Sequence, residues 1–250
     1  MQITTVLSVL GLFAAVEAVP VYSSSSTTTT TTTTTTTQNS HGFPIHESCN
    51  ATLARQISRG LDETITLAAN AKAHLLKYGN SSSLVTKYFG NSSTAVPIGW
   101  YERVLSADRG DMLFRCDDPD QNCHQDGWAG HWRGSNATQE TVICNLSYET
   151  RRYLEEMCGL GYTVAASPLN SFWATDLLHR ILHVPQISED MVHHYASGYT
   201  SILELAKEDP SLSVVDSNTL QYFAVDAYAY DVAAPEVGCT GEPSEEESSH

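Results

Sequence analysis

Between residues 50 and 78 the apolar positions Leu53, Ile57, Leu61, Ile65, Ala68 and Leu75 recur at helical spacing, and Gly79 stands where a helix would stop. Shorter helices are predicted over 84–89, ahead of Gly90, and over 99–107. The segments 111–116 and 141–146 read as short strands flanking a loop rich in Gly and Trp. Residues 150–157 read as helix before Gly159, and residues 170–183 as a helix that Pro185 closes off. Two further helices are predicted over 189–207 and 218–232. Long helices with a small sheet make an α+β class.

The ends of the chain have a different texture. An apolar stretch from Val6 to Val16, followed by Val16-Glu17-Ala18, predicts a signal peptide over 1–18. It is too short and too interrupted to span a bilayer, which predicts no membrane insertion. Residues 19–40 hold a Ser/Thr tract with nothing to bury, the signature of a disordered, O-glycosylated stalk. The folded domain is then expected over 41–241, with an acidic disordered tail over 242–250.

The chain has 250 residues, 41% of them hydrophobic, enough for one medium domain or two small ones. Its net charge of −16 argues against nucleic acid, which needs a basic footprint. The same charge suits solubility, a cation ligand or cationic partners. Six cysteines, an even number, fit an oxidising compartment. Sequons at Asn50, Asn80, Asn91, Asn136 and Asn145 predict a secreted, extracellular glycoprotein. The chain shows no GPI-type hydrophobic tail, so any cell-wall association is expected to be indirect.

The candidate chemistry sits in His179-Arg180-Ile181-Leu182-His183. Four-residue spacing on a helix puts both imidazoles on one face, where they can grip one edge of a tetrahedral metal. After the proline turn, His193 and His194 come within range as a third donor. Arg180 also has an ordinary role open to it, a pair with Asp176 one turn earlier. Asp226 is a reserve ligand or a partner behind the ligands. His193 reads as a surface residue, and His124 and His131 as structural or exposed. Tyr222, Phe223, Tyr228 and Tyr230 read as core; Trp128 and Trp132 either line a loop over the site or pack, and packing is the reading preferred.

From Cys116 onward the chain resembles the deuterolysin-type aspzincin metalloproteases. It is more similar still to their fungal relatives with an H-R-x-x-H motif, a family of pH-regulated antigens, zinc-scavenging surface proteins and allergens. The residues that carry this are the cysteine spacings 116/123 and 144/158, His179 to His183, and His193-His194-Tyr195-Ala196-Ser197-Gly198. Asn218 to Ala224 and Gly238-Cys239-Thr240-Gly241 complete the likeness. The resemblance implies a zincin-like, disulfide-stabilised fold with zinc on His179, His183 and His194. It also implies the disulfides Cys49–Cys116, Cys123–Cys144 and Cys158–Cys239.

Two departures follow from the same likeness. Arg180 stands where the peptidases have their general-base Glu, and Ser197 where aspzincins have a Tyr donor. An Arg, with a pKa above about 12, takes no proton from water. The implied function is a zinc-binding surface protein with a degenerate site, with host serum or surface proteins as further partners. An active zinc peptidase using Asp226 or Glu189 as base, and a structural or adhesive wall glycoprotein, are the competing readings.

Overall fold

The structure is a computed structural model that describes residues 36–243. The predicted signal peptide, most of the stalk and residues 244–250 of the tail lie outside the described residues.

The first helix, α1 (Ala51–Tyr78), starts because the Asn50 carboxamide accepts the N–H groups of Thr52 and Leu53, both at 3.0 Å. It stops at Gly79, whose φ of +51° is a conformation other residues adopt only at a cost. Its buried face carries Ile57, Leu61, Leu67, Ala68, Ala71 and Leu75. Next come α2 (Ser83–Phe89) and α3 (Ala95–Ser106), then α4 (Asn145–Thr150) and α5 (Trp173–His183). One-turn helices α6 (Pro185–Ser188) and α8 (Pro210–Ser213) flank α7 (Tyr199–Glu208), and α9 (Ser217–Tyr228) runs into a π turn over Ala229–Ala233. Helices α1, α5 and α9 pack against one another. The crossing of α1 and α5 is close: a Cβ on Gly60 would sit 2.8 Å from Leu177 Cδ1 and 2.9 Å from Trp173 Cβ.

Among the described residues the sheet has five short strands: β1 (Thr36–Gln38), β2 (Pro44–His46), β3 (Leu113–Arg115), β4 (Gly130–Trp132) and β5 (Glu140–Ile143). Their spatial order is β1-β2-β3-β5-β4. The pairs β2/β3 and β3/β5 are parallel, while β1/β2 and β4/β5 are antiparallel. Strand β4 is therefore an edge strand, paired His131 to Val142 and Trp132 to Thr141. The mostly helical α+β class with a small sheet is what the structure has.

Three disulfides cross-link the fold. Cys49–Cys116 ties the start of α1 to the end of β3. Cys123–Cys144 ties the loop before β4 to the end of β5. Cys158–Cys239 ties the segment before α5 to residues beyond α9, where Val164 and Ala165 donate to the Cys239 and Thr240 carbonyls at 3.0 and 2.8 Å.

Several boundaries differ from the sequence expectation, each for a physical reason. The end of the expected stalk belongs to the fold: residues 36–38 pair with β2, and the buried Asn39 accepts the N–H of Phe43. The expected strand 141–146 ends at Ile143 and gives way to α4. The expected helix 150–157 is broken, because Arg152 bridges to Phe172 and only a short 3-10 turn over Leu154–Glu156 follows. The expected helix 189–207 exists only from Tyr199. Residues 189–198 form a loop instead, with Glu189 and Asp190 at positive φ and tertiary partners for its N–H groups.

Candidate metal centre

Helix α5 carries His179 and His183 one turn apart, and the loop after α6 brings His194 over them. His183 Nε2 lies 3.1 Å from His179 Nε2 and 2.7 Å from His194 Nε2. A tetrahedral metal with nitrogen bonds of about 2.0–2.1 Å would hold its donors about 3.3–3.4 Å apart. The cluster is therefore compact enough for one ion.

The tautomer of His179 follows from its neighbours. Gln221, wholly buried on α9, donates through Nε2 to Asn170 Oδ1 and to the Thr175 carbonyl, both at 2.9 Å. Two acceptors fix the amide, so Gln221 Oε1 is turned to His179 Nδ1 at 2.9 Å. His179 Nδ1 thus carries the hydrogen, and Nε2 presents its lone pair to the cluster. Ser217 Oγ supports the same nitrogen at 3.2 Å.

His194 is placed by a different anchor. Asp216, fully buried, caps α9 by accepting from Thr219 N and Oγ1 at 2.7 and 2.8 Å. Its other oxygen accepts the N–H groups of Tyr195 and Ala196 at 2.7 and 3.2 Å. One carboxylate therefore pins the His194 loop to the helix that orients His179. Asn218 adds a bond from Nδ2 to the Ala196 carbonyl at 2.8 Å.

The electrostatics keep these rings neutral. Burial, then the mutual repulsion of His183, His194 and Arg180, pushes His179 down to about 3. Burial and the charges of His194 and Arg180 take His183 down to about 4. Burial also lowers His194, against the opposing pull of Asp216. Neutral imidazoles with converging lone pairs are the form that binds a metal.

Arg180 points elsewhere. Its Nε and Nη2 each lie 3.1 Å from an oxygen of Asp176, a bidentate pair with both side chains buried. Nη1 reaches toward the Val142 carbonyl at 3.5 Å, and a Cβ on Gly130 would come within 2.7 Å of the guanidinium carbon. Arg180 thus packs α5 onto the edge strand β4. Burial pushes the Asp176 carboxyl up, but the guanidinium groups of Arg180 and Arg151 outweigh it and hold the group below the usual range.

His179, His183, His194, Arg180 and Asp176 line one cleft of about 590 Å³. Its walls also include Trp128, His131 and Trp132 from the β4 region, Arg151 and Asn170. Trp128 and Trp132 are 40% and 38% exposed, so they border the opening rather than fill a core. His131 is buried in the wall, 3.5 Å from Asp120 Oδ2, while His124 is exposed.

Other candidates do not reach the cleft. Asp226 is buried and fully engaged with Lys87 Nζ at 2.7 Å, Tyr88 OH at 2.8 Å and Thr240 Oγ1 at 2.7 Å. It braces α2 and the last residues against α9, which corrects its reading as a reserve ligand. Glu189 is exposed and pairs with Arg103 at 2.8 Å, which removes it as a base. Ser197 and His193 are exposed and are not among the residues lining the cleft. Gln221, Ser217, Asn170 and Asp216 are the residues that sequence reasoning missed. The available signals were the cap pattern Asp216-Ser217-Asn218-Thr219 and, for Gln221, its place in the 218–224 stretch that carries the likeness.

Comparison with known proteins identifies the family and the fold. The family model described as "HRXXH: Putative peptidase family" matches residues 2–242. The chain is 54% identical over 208 residues to the major allergen Asp f 2 of Aspergillus fumigatus, covering 83% of this chain and 67% of that protein. It is 50% identical over 202 residues to the pH-regulated antigen PRA1 of Candida albicans, covering 80% and 68%. A zinc peptidase from Grifola frondosa shares the fold, with a TM-score of 0.54 at 16% identity over 72% of this chain and 99% of that one. The chain therefore belongs to the HRXXH family.

Proposed function

We propose that this chain is a secreted surface glycoprotein that captures zinc on His179, His183 and His194 and does not hydrolyse peptides. The observation that carries the reading is the pairing of a converging three-histidine set with an arginine in the general-base position. Three imidazoles suit zinc better than calcium or magnesium, which take oxygen donors. Bound there, zinc would have Lewis-acid character, but the cleft offers no free carboxylate beside it. Asp176 is the one carboxylate among the cleft-lining residues, and Arg180 and Arg151 hold it. General-base assistance is typically worth about 10²–10⁴-fold, so its loss silences turnover while leaving binding intact.

The surrounding features support an extracellular setting. Among the described residues no cysteine is free, which suits an oxidising compartment. The five sequon asparagines are exposed. No described helix is long and apolar enough to cross a membrane. The antigen and allergen names of the relatives fit a protein presented outside the cell, and contact with host serum or surface proteins belongs to the same proposal.

The test is metal content together with casein cleavage by the purified mature protein. The reading expects one chelatable zinc per chain and no cleavage. Casein cleavage that is lost in His183→Ala would replace it with the active-peptidase reading, and a protein without zinc affinity would leave a wall glycoprotein.

A further inference from the structure

A second constellation shares no residue with the metal cleft. His74 lies near the end of α1, Ser82 just before α2, and Asp231 in the π turn after α9. His74 Nδ1 is 2.8 Å from Asp231 Oδ2, and His74 Nε2 is 2.9 Å from Ser82 Oγ. A carboxylate only accepts, so Nδ1 carries the hydrogen. In the neutral ring Nε2 is then the lone pair, and the Ser82 hydroxyl donates to it.

The surroundings fix this arrangement. The His74 side chain is 1% exposed, with the Tyr78 ring centred 4.7 Å away and the Phe223 and Tyr230 rings meeting it edge-on at 5.8 and 6.4 Å. Asn70 Nδ2 adds a contact to the Asp231 carboxylate at 3.3 Å. Ser82 Oγ accepts the Val85 N–H at 3.3 Å, a contact that strengthens as negative charge grows on the oxygen. Ser82 borders a depression of about 300 Å³ lined also by Tyr78, Leu84 and Tyr230.

Nucleophile, base and orienting carboxylate are recognised by geometry and role, not by their order in the chain. We propose that Ser82, His74 and Asp231 form a second reactive site, with Ser82 a nucleophile toward small acyl esters. Ser82 Oγ bonds to the ester carbonyl carbon while its proton passes to His74 Nε2. The alcohol leaves as its C–O bond breaks and takes that proton. Water then attacks the acyl-Ser82 ester, giving its proton to His74, and releases the acid as Ser82 recovers a proton. Asp231 is the positioning residue that keeps the lone pair of Nε2 on Ser82. This site needs no zinc and stands or falls apart from the metal reading.

The same bonds also tie the π turn to α1 and α2, and a purely structural tie would leave Ser82 no more reactive than Ser81 or Ser83. The experiment treats the mature, chelator-stripped protein with a fluorophosphonate, maps the labelled serine, and follows p-nitrophenyl acetate hydrolysis. Labelling of Ser82 about a hundredfold faster than of Ser81 or Ser83 is expected. Ser82→Ala should abolish it. Because Ser82 completes the Asn80 sequon, Asn80→Gln is the glycan control and should label normally. Asp231→Asn should lower kcat with KM unchanged while circular dichroism stays native. Ser82 labelling no faster than that of its neighbours would overturn the proposal, as would unchanged turnover in a folded Asp231→Asn. If Asp231→Asn fails to fold, the comparison among serines in the unmodified protein decides alone.

Discussion

Gln221 Oε1 accepts the Nδ1–H of His179 at 2.9 Å, and that contact decides which nitrogen of His179 faces the cleft. The amide has no freedom to flip, because its nitrogen already serves Asn170 and Thr175. A helix distant in sequence thus sets the tautomer of a candidate ligand.

Replacing Gln221 with Leu should therefore weaken zinc binding without touching a ligand. Loss of such an outer partner typically costs about 10–100-fold in metal affinity. Isothermal titration of Gln221→Leu beside the unmodified protein measures it. An affinity within a factor of about two would remove Gln221 from the account.

Asp216 should matter for both stability and binding. Asp216→Ala removes a helix cap and a charged acceptor of four hydrogen bonds, so a loss of about 2–4 kcal/mol is expected. The freed loop should also lower zinc affinity through His194. Urea unfolding and zinc titration of the same variant separate the two effects.

Much of the fold is written locally. The caps Asn50 and Gly79 bound α1 because each acts on its own backbone. Strands β1, β2 and β4 carry no legible apolar run of their own and are fixed by their pairings. The 189–198 segment has a helical pattern, yet the Asp216 carboxylate captures its N–H groups across about twenty residues. The site divides the same way. His179 and His183 are visible as a spacing and His194 through likeness, whereas Gln221 and Asp216 act from far along the chain. Asp226 lies five residues past Gln221, about 140° round the helix, and faces Lys87 and Tyr88 instead.

The depressed histidines make the metal-free protein acid-sensitive. His179 and His183 titrate near 3 and 4 when folded but near the ordinary value of about 6.5 when unfolded. Between those values the unfolded chain binds more protons, so stability is full above about pH 6.5 and is lost as pH falls toward 4. Each ring contributes on the order of 3 kcal/mol at the limit. Thermal melts of chelator-treated protein from pH 7.5 to 4.5 should show this, with a shallower dependence in His179→Gln. Parallel profiles for the two proteins would contradict it.

Arg180→Glu should not recreate a peptidase. The substitution breaks a buried pair and sets a second carboxylate beside Asp176, so about 3–5 kcal/mol of stability should go. The guanidinium also fills the space against Gly130, which Glu leaves empty. Arg180→Met should cost less, because it keeps the volume and adds no like charge. Melting temperatures of both variants, with a casein assay on Arg180→Glu, test this.

The most direct measurement is zinc titration of the purified, chelator-stripped mature protein at pH 7.5, run in parallel on His179→Ala, His183→Ala and His194→Ala. One tight site per chain is expected, abolished in the first two variants and weakened in the third, with casein left intact by the zinc-loaded protein. Unchanged affinity in His179→Ala, or chelator-sensitive casein cleavage by the unmodified protein, would contradict it.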